Sequence, residues 1–165
     1  MAQELSLIHS GALRFSQLAE AVGTSQRSLA GWLDQDATYR GDRDARGWRW
    51  FSLVDVVLPS FVREMVDYGA SYRHSMSLAS QLAIRFADGV LRDPEATRAS
   101  LLRAFESLRA FVTIHAGEYE LSFDEPQAPS CLVLHLGQIA DDSLGRAAEA
   151  LRPFRESHDG DGEWG

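Results

Sequence analysis

The sequence predicts a mainly helical fold with small β elements: a winged helix-turn-helix head, a long helical dimerisation region and a small C-terminal α+β unit. Three patterns predict this class. Two short amphipathic helices meet at Gly23, a basic hairpin edged by aromatic residues follows them, and apolar residues recur every three or four positions beyond Asp93. These patterns divide the chain into a head over 13–82, a helical dimerisation linker over 83–116, an accessory unit over 117–156 and a disordered acidic tail over 157–165.

The first two helices are predicted from their caps and apolar faces. Ser16 is a good N-cap, and Gly23 tolerates the left-handed conformation that ends a helix. The second helix starts at Thr24 or Ser25 and runs to about Asp34. Three bulky residues form its buried face, Leu29, Trp32 and Leu33. The residues expected to face outward near its start are Ser25, Gln26, Arg27, Ala30 and Gly31.

The outward face of the second helix suits recognition of double-stranded DNA. Gln and Arg carry paired donors and acceptors that match the edges of adenine and guanine, and small neighbours let a helix approach the major groove. On this interpretation Gln26 and Arg27 contact bases. The alternative is the solvated surface of an ordinary helix pair.

The basic hairpin is interpreted as a wing. Thr38–Arg40 and Trp48–Phe51 are predicted to be its strands, with a polar loop between them and the aromatic residues of the second strand anchoring it to the helices. Four arginines are expected to contact DNA phosphates or a minor groove: Arg40, Arg43, Arg46 and Arg49. The alternative is a solvated loop in which these arginines pair with Asp42 and Asp44.

Composition and charge limit the classes of function. The net charge of −8 argues against a protein that coats nucleic acid non-specifically. The segment from Arg14 to Arg49, however, contains six arginines and five acidic residues. No apolar stretch approaches the roughly 20 residues of a membrane span, and no signal peptide is evident, so a cytoplasmic protein without membrane contact is expected. The chain has no lysine, which excludes catalysis by lysine. Its single cysteine, Cys131, excludes a multi-cysteine metal site and is expected to be buried.

Residues after the hairpin carry a resemblance to the MerR family of bacterial transcription regulators. The hairpin ends in the run Gly47-Trp48-Arg49-Trp50-Phe51-Ser52, a capping box of Ser52 and Asp55 starts a helix over Leu53–Tyr68, and Gly69 stands at a junction before a helix capped by Ser71. The apolar face of this next helix comes from Met76 and from Leu78 to Leu82. The resemblance covers Phe15 to Leu82.

This resemblance implies a function. Such a regulator binds a palindromic operator as a homodimer, distorts promoter DNA and so changes the access of RNA polymerase. Two residues depart from the family pattern: Ala30 stands where the family usually has an arginine, leaving Arg27 as the nearby substitute, and Pro59 predicts a kink or a break in the helix after the hairpin. Thiophilic metal sensing is not expected, because Cys131 is the only cysteine.

A long dimerisation helix is predicted from Asp93 onward. Asp93 is a cap, and Pro94 and Glu95 suit a first turn. Its apolar stripe consists of Leu101, Phe105, Leu108 and Val112. This stripe packs either on the same helix of a second copy or on the C-terminal unit of its own chain.

The C-terminal unit is predicted to hold a hairpin and a final helix. Alternation at Tyr119, Leu121 and Phe123 predicts a half-buried strand, and the apolar run from Cys131 to Leu136 predicts a central strand joined to it by a loop. The final helix is predicted over about Asp141 to Arg155. Its inner face is expected to contain Ile139, Leu144, Ala148 and Leu151.

No catalytic, cofactor-binding or metal-ligating residue is predicted. Cys131 and His135 fall on one face of a predicted strand about 13 Å apart, too far for a nucleophile and its base. The sequence therefore predicts a DNA-binding transcription regulator rather than an enzyme. Two alternatives stay open: an excisionase-like architectural protein that bends DNA, and a dimeric protein-interaction module that does not bind DNA.

Overall fold

The computed structural model describes residues 12–35, 42–82, 84–85, 88–115, 118–127 and 131–159. Its helices are α1 (Phe15–Val22), α2 (Gln26–Gln35), α3 (Val54–Asp67), α4 (Tyr72–Leu82), α5 (Asp88–Arg92), α6 (Arg98–Phe105) and α7 (Leu136–Asp159). Its strands are β1 (Asp42–Arg43), β2 (Arg49–Trp50), β3 (Arg109–His115), β4 (Glu118–Ser122) and β5 (Leu132–His135). The mainly helical class with small β elements is confirmed. No helix within these ranges is both long and apolar enough to cross a bilayer.

Helix α1 begins one residue before the predicted cap. The Arg14 backbone N–H donates to the Gln17 side-chain oxygen at 2.9 Å, so Arg14 is the N-cap residue and Ser16 lies inside the first turn. The prediction of Ser16 as the cap is wrong, because Gln17 supplies the capping bond from within the helix. Gly23 ends α1 as predicted, with a φ of 77° and its N–H donating to the Ala19 carbonyl at 2.9 Å.

Helix α2 begins directly after Ser25, within the predicted range. The Ser28 backbone N–H donates to Ser25 Oγ at 3.0 Å, the bond expected of an N-cap serine. Leu29 and Leu33 are buried and Trp32 is half-buried. The predicted apolar face of this helix is confirmed.

Strands β1 and β2 form a short antiparallel hairpin, called the hairpin below. Asp42 pairs with Trp50, and Arg43 pairs with Arg49. The first predicted strand, Thr38–Arg40, lies outside the described residues. The two residues of β1 were predicted to lie in the loop, and this is wrong, because they pair with β2 and leave a shorter turn.

Helix α3 runs unbroken across Pro59. At its start, Ser52 donates both its backbone N–H and its hydroxyl to Asp55 Oδ2, at 2.7 and 2.9 Å, which is the carboxylate half of the predicted capping box. The predicted break at Pro59 is wrong. Proline removes one helical hydrogen bond, but α3 is buried on both sides of Pro59, from Val56 to Val62, and that burial offsets the loss.

The junction between α3 and α4 follows the prediction. Gly69 has a φ of 91°, a conformation that favours glycine. Ser71 Oγ lies 2.6 Å from His74 Nδ1 and accepts the His74 backbone N–H at 3.3 Å, at the start of α4. The inward residues of α4 are Met76, Leu78, Ala79 and Leu82.

The predicted long helix from Asp93 is wrong. Asp93 and Glu95 lie in a turn, in which the Glu95 N–H donates to Asp93 Oδ1 at 2.9 Å. Helix α6 starts later, where Thr97 Oγ1 accepts the Ser100 N–H at 3.1 Å, and it ends at Phe105. The chain then turns into β3, where Val-Thr-Ile at residues 112–114 suits a pleated strand.

Strand β3 is the centre of a three-stranded antiparallel sheet in the order β4-β3-β5. Phe111 pairs with Ser122 on one side and with Val133 on the other. The prediction that β4 and β5 form a hairpin with β5 central is wrong, because β3 lies between them. The half-buried alternation of Tyr119 and Leu121 in β4 is confirmed.

Helix α7 follows β5 without a loop and is longer than predicted. It starts at Leu136, five residues before the predicted Asp141. The Leu136 N–H donates to the Leu108 carbonyl at 3.1 Å. Ala148, predicted to face inward, is exposed, whereas Leu144 is fully buried. The helix also includes 157–159, the first residues of the predicted tail, while 160–165 lie outside the described residues.

One hydrophobic cluster joins the predicted head, linker and accessory unit. It extends from Leu13 to Ala147 and includes buried residues of α1, α3, α4, α6, the sheet and α7. Phe61 of α3 packs edge-on against Phe105 of α6, with ring centroids 5.4 Å apart. Helix α7 packs against both α1 and α3. The N-terminal and C-terminal elements therefore share a core.

Candidate nucleic-acid interface

The outward face of α2 lies where the sequence predicts it. Ser25, Gln26, Arg27 and Gly31 are exposed, and Ala30 is half-buried. A side chain added at Gly31 would meet no atom within 4 Å, so nothing among the described residues covers this face there. The face carries polar side chains and two small residues, and it is accessible to solvent.

The opposite face of α2 fixes the orientation of the helix. Leu29 is fully buried, and Trp32 stacks on Tyr72 of α4 with ring centroids 5.7 Å apart. The Tyr72 hydroxyl also donates to the Trp32 carbonyl at 2.6 Å. Because these contacts lie behind the helix, they hold its outward face in one direction.

The carboxylate of Asp44 organises the tip of the hairpin. It accepts the backbone N–H groups of Arg46 and Trp48 at 2.9 and 3.0 Å and the Trp50 indole N–H at 3.2 Å. The Trp50 bond is the largest cause that holds the pKa of Asp44 below its usual value of 3.8; burial, the next in size, opposes it, and the backbone N–H groups of Trp48, Arg46 and Gly47 add to the lowering. Gly47, with a φ of 81°, completes the turn.

The arginines of the hairpin are not neutralised by Asp44. Its oxygens accept N–H groups of the backbone and of an indole, and neither Arg46 nor Arg49 forms an ion pair with a described residue. Both arginines are exposed. Arg40 and the side chain of Arg43 lie outside the described residues.

The hairpin lies beside α2. Phe51 bridges to Leu13, just before α1, and is buried, as its predicted anchoring role requires. Arg49 of the hairpin and Ala30 of α2 line the same small cavity of about 240 Å³, which also contains Asp34. The structure thus brings Arg49, predicted to contact DNA, next to Ala30 of the outward face of α2.

Two features of this surface are absent from the sequence prediction. The guanidinium of Arg14 lies over the Trp50 ring, 5.7 Å from its centroid, so a fifth arginine joins the hairpin. The predicted anchoring role of Trp48 is wrong, because this side chain is 67% exposed at the tip of the hairpin. Neither feature has a local sequence signal, since both depend on how the hairpin folds over the start of α1.

The predicted dimerisation residues lie away from this surface and inside the chain. Leu101, Phe105 and Val112 are buried in the common core, and Leu108 is half-buried against it. Val112 belongs to the central strand rather than to a helix. The second interpretation of this stripe, packing on the chain's own C-terminal unit, matches these contacts.

The described residues include no group of three or more His, Cys, Asp or Glu side chains placed to hold a metal ion. Cys131 is a free thiol and is half-buried, more exposed than predicted. Neither a protein-family model nor a curated protein sequence matches the chain, so its function has to be inferred from its own residues.

Proposed function

We propose that this chain is a sequence-specific DNA-binding transcription regulator of the MerR-like type, with α2 as its recognition helix and the hairpin as its wing. The observation that carries the proposal is the combination of an open, polar α2 face with hairpin arginines that Asp44 leaves unpaired. Arg49 of the hairpin and Ala30 of α2 line one cavity, which supports a joint surface.

The residues of α2 supply the sequence reading in this proposal. Gln26 and Arg27, on the exposed first turns, present paired hydrogen-bonding groups to base edges. Ala30 and Gly31 lack bulk and let the helix enter the major groove. In this proposal Gln26 and Arg27 determine the sequence specificity, and Ala30 and Gly31 determine how deeply the helix enters the groove.

The hairpin supplies contacts to the phosphate backbone. Arg46 and Arg49 are exposed and unpaired among the described residues, and Arg14 lies at the base of the same structure over Trp50. Phosphate contacts position a protein on DNA without reading its sequence. They also make the affinity fall steeply as salt is added.

We further propose binding to a palindromic operator as a homodimer, with an effect on RNA polymerase at the promoter. A two-fold operator requires two recognition helices related by the same symmetry. Because Leu101, Phe105 and Val112 are buried within the chain, the dimer contact has to use another face.

Salt-dependent binding to a pool of genomic DNA fragments tests the proposal. Binding is expected to weaken by about 10³-fold or more between about 50 and 200 mM salt if six or more phosphates are contacted. Arg46→Gln should weaken binding to all fragments alike and reduce the salt dependence. Arg103→Gln, which removes an exposed arginine of α6, is the matched control and should leave binding unchanged. Equal binding by both variants contradicts the proposal.

A monomeric architectural DNA-binding protein of the excisionase type is the second candidate. The burial of the expected dimerisation stripe favours it, because the same head then acts without a partner. The form of the bound site separates the two candidates. A palindrome supports the dimeric regulator, and a single asymmetric site with bent DNA supports the architectural protein. No enrichment of any fragment supports a protein-interaction module instead.

A further inference from the structure

A polar cleft of about 270 Å³ opens between α3, β5 and the first half of α7. It is formed by elements other than α2 and the hairpin, so the proposed DNA contacts do not use it. Its charged and polar walls include Arg63, Glu64, His135, Gln138, Asp142 and Arg146.

Each helical wall of this cleft carries one cation and one anion. Arg63 and Glu64 come from α3, and Asp142 and Arg146 come from α7. These charges do not pair across the cleft. Arg63 pairs within its own helix, with Asp67 at 2.9 Å.

Neither acid of the cleft has a cationic partner among the described residues. Arg146 directs its Nε to the Ala21 carbonyl of α1 at 2.8 Å rather than to an acid. Within the described part of the chain, neither Glu64 nor Asp142 forms an ion pair. Glu64, Asp142 and the Nη atoms of Arg146 can therefore bind a ligand that carries a positive and a negative group.

The rest of the lining consists of Ser60, which adds a hydroxyl group, and of residues with apolar surface. Val133 and Leu134 of β5 and Ile139 of α7 contribute aliphatic surface, and Tyr68 contributes an aromatic ring. The volume lies below the range of about 300–1,000 Å³ typical of drug-sized ligands. The cleft therefore suits a small molecule with an apolar group beside its charges.

We propose that this cleft binds a small zwitterion, an apolar α-amino acid. Its carboxylate contacts Arg146, its ammonium group contacts Asp142, and its side chain lies on the surface of Val133 and Ile139. Opposite charges around one cleft favour a ligand with both groups over one with a single charge. This inference does not depend on DNA binding.

The cleft adjoins the last turn of α1. Arg146 holds the Ala21 carbonyl, and a Cβ built at Gly23 would lie 3.3 Å from Nη1 of Arg63. A ligand that draws either guanidinium towards the cleft alters its contact with the turn between α1 and α2. The backbone amide of Gly23 is therefore the expected reporter of binding.

NMR titration of the full chain with L-alanine, L-valine, L-leucine and L-phenylalanine tests the inference. At least one amino acid should give saturable shifts at cleft residues and at the Gly23 amide. For L-leucine, the matched compounds are 3-methylbutylamine, which lacks the carboxylate, and 4-methylpentanoate, which lacks the amine; each should bind at least about tenfold more weakly. No saturable binding by any amino acid, or equal binding by the acid alone, overturns the inference.

A pair of neighbouring variants locates the site. Asp142→Asn should weaken binding by about tenfold or more, because it removes one charge-assisted hydrogen bond. Asp141→Asn is the control: Asp141 lies outside this cleft and faces Arg98 at 3.5 Å, so affinity should not change. Both residues are exposed, and neither change should impair folding. Equal loss in the two variants, or loss in neither, contradicts the assigned site.

Discussion

The interior around α3 and the surface formed by α2 and the hairpin are held in place by different forces. Phe61 and its neighbours are buried among apolar side chains from α1, α4, α6 and α7. The hairpin instead depends on hydrogen bonds, those of the β1–β2 backbone pairing and those accepted by one exposed carboxylate, Asp44. Substitutions in the interior should therefore change the stability of the whole chain, whereas those at the surface should change binding and leave stability almost intact.

The largest expected effect is at Phe61. Phe61→Ala removes a fully buried ring that packs against Phe105 and should lower the free energy of unfolding by about 3–5 kcal/mol. Chemical denaturation measures it. A loss below about 1 kcal/mol would mean that α3 is not the centre of the core.

The next effect is at Gly137, where α7 meets the end of α6. A Cβ at this position would lie 2.8 Å from the Glu106 carbonyl oxygen and 2.9 Å from the Phe105 carbonyl oxygen, both backbone atoms. Gly137→Ala should therefore destabilise the chain by about 1–3 kcal/mol. Gly145→Ala, in the same helix with nothing within 4 Å, should instead be neutral or stabilising by up to about 1 kcal/mol. Equal effects would contradict the close approach of α6 and α7.

The two regions also differ in how far the sequence predicts them. The start of the second helix at Thr24 or Ser25, the turn glycine Gly23 and the buried face of Leu29 are predicted from local signals, and the structure agrees with each. For Asp44, the sequence predicts only a role as an ion-pair partner of the arginines. Its actual role needs the hairpin to bring Trp50 within hydrogen-bonding distance.

The C-terminal half illustrates a non-local failure. The spacing of Leu101, Phe105, Leu108 and Val112 fits a helix, but the pattern continues past the helix end into β3. No glycine or proline marks the boundary near Glu106. Strand β3 forms because β4 and β5 pair with it on both sides, and those partners lie later in the chain. Helical periodicity alone does not contain that information.

At Gly31 stability and binding are expected to move in opposite directions. Gly31→Ala should stabilise the chain by about 0.5–1 kcal/mol, because alanine favours the helix and nothing lies within 4 Å. If α2 enters a major groove, the added methyl group should weaken DNA binding. Thermal denaturation and a DNA titration of the same variant measure both effects. Higher stability with unchanged DNA affinity would argue against a close approach of DNA to residue 31.

The smallest expected effect on stability is the pH response of the hairpin. Since the pKa of Asp44 is lowered by the Trp50 indole and by backbone N–H groups, its contribution is present above its usual pKa of 3.8 and is lost as the pH falls through the lowered value. The Trp50 indole proton resonance should shift in that acidic range. Asp44→Ala should remove this pH response while the core remains folded. An unchanged profile would show that the carboxylate does not organise the hairpin.

The central claim is that the exposed face of α2 reads DNA sequence. The most direct measurement is selection of bound fragments from random double-stranded DNA, read by sequencing, with the natural chain and Gln26→Ala in parallel. An enriched palindromic motif is expected for the natural chain, and relaxed preference at one position of each half-site is expected for the variant. The same motif for both proteins, or no enrichment for either, would contradict it.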